Sequence, residues 1–98
     1  VIRSFANSAS EDIFNGYRSK SARKLLPDTL WKTAARKLDQ LDSAVSISDM
    51  KVPPGNRLES LKGVRKGQYS IRINSQYRIC FYWEESDAHG VEIVDYHK

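Results

Sequence analysis

The spacing of hydrophobic positions changes midway along the chain. Trp31, Ala34, Ala35, Leu38, Leu41 and Val45 recur at three- and four-residue intervals. That period turns one face of an α-helix towards a core. The pattern predicts a helix of about four turns, entered after Pro27 with Asp28 as N-cap, and with Lys32, Arg36, Lys37, Asp39, Gln40 and Asp42 on its wet face. From Gln68 onward the interval is two. Tyr69, Ile71 and Ile73 alternate with Ser70, Arg72 and Asn74, and Tyr77, Ile79, Phe81 and Trp83 alternate with Arg78, Cys80, Tyr82 and Glu84. Val91 and Ile93 continue the alternation. Period two predicts strands over 68–74, 77–84 and 91–95, joined by a hairpin at Asn74-Ser75-Gln76 and a polar turn over 85–90. Such short connections favour antiparallel pairing, with the apolar set against the helices and Arg72 and Arg78 on the opposite face.

The remaining stretches complete this frame. Residues 1–5 alternate and suit a first strand added to the sheet. Ser8 and Glu11 form a Ser-x-x-Glu capping pattern ahead of Ile13, Phe14 and Tyr17, and Gly16 can close that short helix. Arg18, Lys20, Arg23 and Lys24 form a basic stretch. Residues 46–56 form a connection, since Pro53-Pro54-Gly55-Asn56 suits neither helix nor central strand. The expected fold class is α+β, one domain over 1–98. An N-terminal strand and two helices would pack on one face of a mainly antiparallel C-terminal sheet.

Composition narrows the classes. The chain is 40% hydrophobic and 29% charged, as expected of a globular protein. No apolar run approaches the ~18 residues needed to span a bilayer, and residues 1–15 show no signal-peptide pattern, so a cytoplasmic protein without a membrane partner is the expectation. One cysteine, Cys80, excludes an internal disulfide framework and a Cys-rich zinc site. His89 and His97 do not make a metal site, and no cofactor is expected.

The net charge of +4 leans towards anionic partners, and the charge is segregated. Lys51, Arg57, Lys62, Arg65, Lys66, Arg72 and Arg78 fall in one stretch with a single acid, Glu59, whereas residues 84–95 hold five acids and no Lys or Arg. A basic zone interleaved with Tyr69, Tyr77 and Tyr82 suits a nucleic-acid backbone with stacked bases. The alternative is that Lys62, Arg65 and Lys66 solubilise a loop while the tyrosines pack. Arg72 and Arg78 can hold a phosphate with forked donors, or can form cross-strand ion pairs with Glu84 or Glu92. The ending Asp95-Tyr96-His97 supplies a histidine beside a carboxylate, as general acid–base chemistry requires. Arginines, a His/Asp pair and tyrosines together permit RNA cleavage by 2′-hydroxyl attack on the adjacent phosphate.

Pro53-Pro54-Gly55-Asn56-Arg57-Leu58-Glu59-Ser60-Leu61-Lys62-Gly63, Gly67 to Asn74, Gln76 to Phe81 and Val91 to His97 together resemble the HigB, or plasmid maintenance killer, branch of the RelE/ParE toxin superfamily. The likeness extends to Ile2-Arg3-Ser4-Phe5 and to Ala35-Arg36-Lys37-Leu38. It implies a bacterial type II toxin that cuts mRNA on translating ribosomes. The implied partners are mRNA with ribosomal RNA, a HigA-like helix-turn-helix antitoxin, and operator DNA only through the antitoxin complex. It also implies helices on an antiparallel sheet. Asp95, Tyr96 and His97 match the family's C-terminal functional motif, and Arg78 matches a strand arginine that holds the RNA phosphate. Arg72 fits the same role, although some relatives place a second arginine at the position of Asn74. Lys62 matches a basic position suited to RNA or ribosomal RNA, and Arg57, Arg65, Lys66 and Tyr77 are expected beside it. Some relatives carry histidine at the position of Glu59, so proton transfer here rests on His97 and Asp95, with acid and base unassigned, or is shared by Glu59.

Overall fold

The computed structural model describes residues 1–96, so His97 and Lys98 lie outside the described residues. Helices occupy the N-terminal half and a four-stranded antiparallel sheet the C-terminal half. Helix α1, Ser8–Asn15, is capped by Asn7 rather than Ser8: the Asn7 carboxamide oxygen accepts from the Ser10 amide at 2.9 Å. Gly16 ends it in the left-handed conformation, φ +74°, where a side chain would be strained. The basic stretch forms an additional helix, α2, Lys20–Leu25, capped by the Ser19 hydroxyl on the Ala22 amide. Its buried anchors are Ala22 and the following Leu26, too few to register as a periodic stripe. The main helix, α3, is Trp31–Ser43, entered through a 3₁₀ turn at Asp28–Leu30. Asp28 makes no capping bond and pairs with Arg18 instead. Trp31 Nε1 donates to the Leu26 carbonyl at 2.8 Å, tying the start of α3 to the end of α2.

Two positions assigned from periodicity differ. Val45 lies beyond the end of α3 and is 72% exposed, whereas Lys37 is 9% exposed. Residues 46–56 bring a loop with two 3₁₀ turns back over the helix and cover Lys37.

The sheet runs β1 (Glu59–Ser60), β2 (Gln68–Arg72), β3 (Tyr77–Glu84), β4 (Asp87–Asp95) in spatial order. The register follows the alternation: Tyr69 faces Phe81, Ile71 faces Ile79, and Ile79 faces Ile93. These side chains join Ile13, Leu26, Leu38 and Leu41 in the core. The last strand starts four residues earlier than expected. Its turn is only Glu85-Ser86, with Glu85 at φ +58°, and Glu84 pairs with Asp87. A bulge between Cys80 and Tyr82 restores the register. Gly90 lies opposite it at φ +58°, and a Cβ there would meet the Tyr82 ring at 3.4 Å. Residues 1–5 add to the outer edge of β4 as two isolated parallel bridges, Ile2 to Ala88 and Phe5 to Val91, instead of a continuous strand. They still occupy its edge hydrogen bonds. No helix among the described residues is long and apolar enough to cross a membrane.

The face of the sheet away from the helices is not simply solvated. Ser70, Arg78 and Cys80 are buried on it, beside the Arg57 backbone and Tyr96. Truncating fully buried Leu38 to Ala is expected to cost about 2–5 kcal/mol, while Val45→Ala, equally apolar in sequence, should change stability by less than about 0.5 kcal/mol. Urea unfolding of the two variants measures the contrast.

Candidate functional site

The second face of the sheet holds a cleft of about 300 Å³ lined by Arg57, Glu59, Arg72, Asn74, Ser75, Arg78 and Tyr96. Strands β1, β2 and β3, the β2–β3 hairpin tip, the turn before Arg57 and the residue after β4 build it. β2 and β3 supply Arg72 and Arg78, which are direct cross-strand partners. Like charges placed opposite each other destabilise a sheet unless they are compensated. At the hairpin tip, the Asn74 side chain accepts from the Gln76 and Tyr77 amides at 2.9 and 2.8 Å, fixing the turn that carries Asn74 and Ser75. β1 supplies Glu59 opposite Ser70. Arg57 follows the 3₁₀ turn Pro54–Asn56 at φ +47°, a left-handed conformation that turns the chain onto the sheet.

Arg78 is the buried member, 8% exposed. Its Nε donates to the Ser70 hydroxyl at 2.7 Å, and one terminal nitrogen donates to the Arg57 carbonyl at 2.6 Å and to the Ser70 carbonyl at 3.3 Å. Glu59 stands 3.9 Å from that nitrogen with its side chain 56% exposed. The ion partner of Arg78 is therefore Glu59 and not Glu84 or Glu92. Glu92 instead accepts from Arg65 at 3.2 Å. Arg72 is only partly buried at the cleft wall.

Tyr96 closes the cleft on the side of β4. Its amide donates to the Gln76 carbonyl at 2.7 Å, and its ring centroid lies 5.9 Å from the Arg78 guanidinium carbon. The chain end is thus held against the arginine-bearing face as far as Tyr96, and the histidine that follows lies outside the described residues. Burial, and next Cys80 beneath it, push the Tyr96 phenol above its ordinary range. It keeps its proton at neutral pH, and its oxygen accepts a long contact from the Cys80 thiol at 4.0 Å. Burial likewise raises the Cys80 thiol, which is fully enclosed and unsuited to nucleophilic chemistry.

Several expected contacts are arranged differently. Asp95 pairs with Tyr77 across β3 and β4 and so falls on the helix-facing side by alternation, one residue out of phase with Tyr96. It does not line the arginine cleft, and its carboxylate accepts from the Gln76 side chain at 3.2 Å. Tyr77 is buried in the core, which removes its ring from any surface stacking role. Lys62 and Lys66 are exposed outside the cleft, and Arg65 is held by Gln68 and Glu92 beside a second hollow lined by Val64, Val94, Asp95 and Tyr96. Ser75 has no site signal in the sequence because hairpin-tip polarity reads as a turn signal, whereas Asn74, the position of a second arginine in some relatives, does line the cleft.

The model of the RelE-like toxin of the type II toxin-antitoxin system HigB matches residues 4–97. The chain belongs to this HigB-like toxin family. It is 43% identical over 72 residues to Toxin HigB-1 of Vibrio cholerae serotype O1, an alignment spanning 74% of this chain and 76% of that one. It is 33% identical over 79 residues to an uncharacterized protein of Haemophilus influenzae, spanning 81% and 78%. Among solved structures, the YoeB-YefM complex from Staphylococcus aureus contains a chain similar in fold, with a TM-score of 0.61 at 19% identity, covering 100% of this chain and 97% of that chain.

For this HigB-like chain, Arg78 is at once a cleft residue and a structural clamp, so its removal is expected to be read first in stability. Arg78→Met leaves the Ser70 hydroxyl and the Arg57 carbonyl unpaired in a buried site and should cost about 3 kcal/mol. Arg78→Lys should recover only part, because one ammonium cannot reproduce the forked geometry. Chemical denaturation of the three proteins provides the comparison.

Proposed function

We propose that this HigB-like toxin is an endoribonuclease that cuts mRNA on translating ribosomes in the cytoplasm and is restrained by a HigA-like helix-turn-helix antitoxin. The observation that carries the proposal is the cross-strand arginine pair. Arg72 and Arg78 face each other at the wall of a cleft that also receives Arg57, and one carboxylate, Glu59, is set among them. A phosphodiester in that cleft would offset like charges that the sheet otherwise holds at a cost. Family membership supports the toxin role, and the antitoxin complexes of the fold neighbours support an antitoxin partner.

The chemistry follows from the groups present. The RNA 2′-hydroxyl attacks the adjacent phosphorus and the 5′-oxygen departs. Glu59, half-exposed beside Arg78, accepts the 2′ proton. Arg57, Arg72 and Arg78 stabilise the charge that accumulates on the equatorial oxygens. Tyr96 donates a hydrogen bond from its retained phenolic proton. His97 protonates the departing oxygen in this scheme, and Asp95, on the far side of the strand and bonded to Gln76, is not assigned to the phosphate. Exposed Lys62 and Lys66 are assigned to ribosomal or messenger RNA backbone outside the cleft.

Arg72 provides a cleaner test than Arg78 because among the described residues it carries no comparable structural network. Primer extension on cellular mRNA after induction should show cuts within translated codons. Glu59→Gln and His97→Ala should each slow cleavage by roughly 10²–10⁴-fold, and Arg72→Met by about 10²-fold or more, with unfolding midpoints close to the parent. DNA breaks without mRNA cleavage, or undiminished cutting by both Arg72→Met and His97→Ala, would overturn the assignment.

A further inference from the structure

A buried lysine on α3 lies behind the cleft. The Lys37 ammonium donates to the Asn56 carboxamide oxygen at 2.5 Å. Asn56 is fully buried, and its amide nitrogen in turn donates to the Met50 carbonyl at 3.1 Å, the Val52 carbonyl at 3.2 Å and the Gln40 side-chain oxygen at 3.3 Å. One side chain therefore closes the whole connection from Met50 to Asn56. The next residue is Arg57, whose amide donates to the Pro54 carbonyl at 3.1 Å and whose own carbonyl receives the Arg78 guanidinium. A covalent and hydrogen-bonded path thus runs from Lys37 through Asn56 and Arg57 to Arg78.

Stability alone is a poor account of this lysine. Among the described residues Lys37 has no ion pair, and an ammonium buried without a carboxylate is costly. Burial, then Arg36 and then Arg72 lower its pKa, so it sits in a positive field that includes the cleft wall. An apolar residue or a glutamine in the same helical position would fill the space more cheaply.

We propose that Lys37 is a positioning residue of the arginine cleft: its bond to Asn56 sets the 50–57 loop, and with it the Arg57 carbonyl that aims the Arg78 guanidinium. The inference rests on the cleft being the phosphate site proposed above, but concerns a residue outside it. Lys37 does not touch the substrate. It acts by holding the acceptor that orders Arg78, and misplacement of such a group by about 1 Å can cost on the order of 10²-fold in rate.

The test compares Lys37→Met with Lys32→Met, which removes an equal charge from the exposed face of the same helix. Two readouts are needed. The first is the Arg78 Nε–Hε NMR signal, titrated with inorganic phosphate as the probe. The second is the rate of mRNA cleavage on ribosomes under saturating and subsaturating conditions, below each protein's unfolding midpoint. Lys37→Met should shift and broaden the Arg78 signal, weaken its response to phosphate, and lower the limiting cleavage rate by ~10- to 100-fold with little change in half-saturation. Lys32→Met should leave the signal and the limiting rate at parental values. If Lys37→Met does not fold, Lys37→Gln, which retains polarity but is one atom short of Asn56, takes its place with the same expectations. A folded Lys37 variant with a parental Arg78 signal and parental limiting rate overturns the inference. A parent protein that cleaves no RNA overturns the proposed function, while the Arg78 signal still decides the role of Lys37.

Discussion

The Arg78 guanidinium joins the parts of this molecule on which the candidate site depends. It projects from the centre of the sheet into a buried position where a cation is stable only if its donors are met. Ser70 on the neighbouring strand meets two of these bonds and the Arg57 carbonyl meets another. The loop that precedes the sheet is thereby fastened to the sheet's second face, and the left-handed turn at Arg57 is held where its side chain can line the cleft. The same contact brings β1 alongside β2, placing Glu59 within ion-pair distance of Arg78. The clamp orders the loop, and the loop in turn completes the charge pattern of the cleft.

The two faces of the sheet are consequently built on different physics. The helix-facing side is an apolar interior of Ile71, Ile79, Phe81 and Ile93 against Leu38 and Leu41, stabilised by area removed from water. The opposite side is a hydrogen-bonded layer in which burial is tolerated because each polar group has a partner; no buried side-chain nitrogen or oxygen among the described residues is left unsatisfied. Such a layer gives less net stability per residue than the core, but it fixes donor directions, and that is what recognition of a phosphate requires. Lys37 and Asn56 extend this polar layer around the edge of the sheet to α3. They link α3, with its buried Trp31, Ala34, Leu38 and Leu41, to the charged surface.

Charge is distributed along β3 and β4 so that the cleft stays positive. Arg65 and Glu92 neutralise each other beside it, and Arg3 pairs with Asp87 at the far end of β4. The acids that dominate the C-terminal sequence are thus largely directed away from the cleft, with Asp95 turned to the opposite side by strand alternation. Glu59 is the exception, lining the cleft together with Arg57, Arg72 and Arg78.

Periodicity in the sequence determined the elements with strong local signals: the stripe of Trp31, Ala34, Leu38 and Leu41, the alternation through β2 and β3, and the placement of Arg72 and Arg78 on the face away from the helices. The combined motifs from Pro53 to the chain end also determined the family. Both are properties of residue order, which local geometry and sequence likeness read directly. Tertiary structure alone decided the rest. Helix α2 and the two-residue strand β1 have too few apolar anchors to announce themselves, and exist because neighbours bury or pair them. Lys37 and Arg78 carry the sequence signature of exposed charge, yet both are buried, because whether a cation can leave water depends on acceptors brought from residues far along the chain. Tyr96 and Asp95 are adjacent in sequence and were grouped as one motif, but a strand sends them to opposite faces, and only the register of β3 with β4 determines which one meets the arginines.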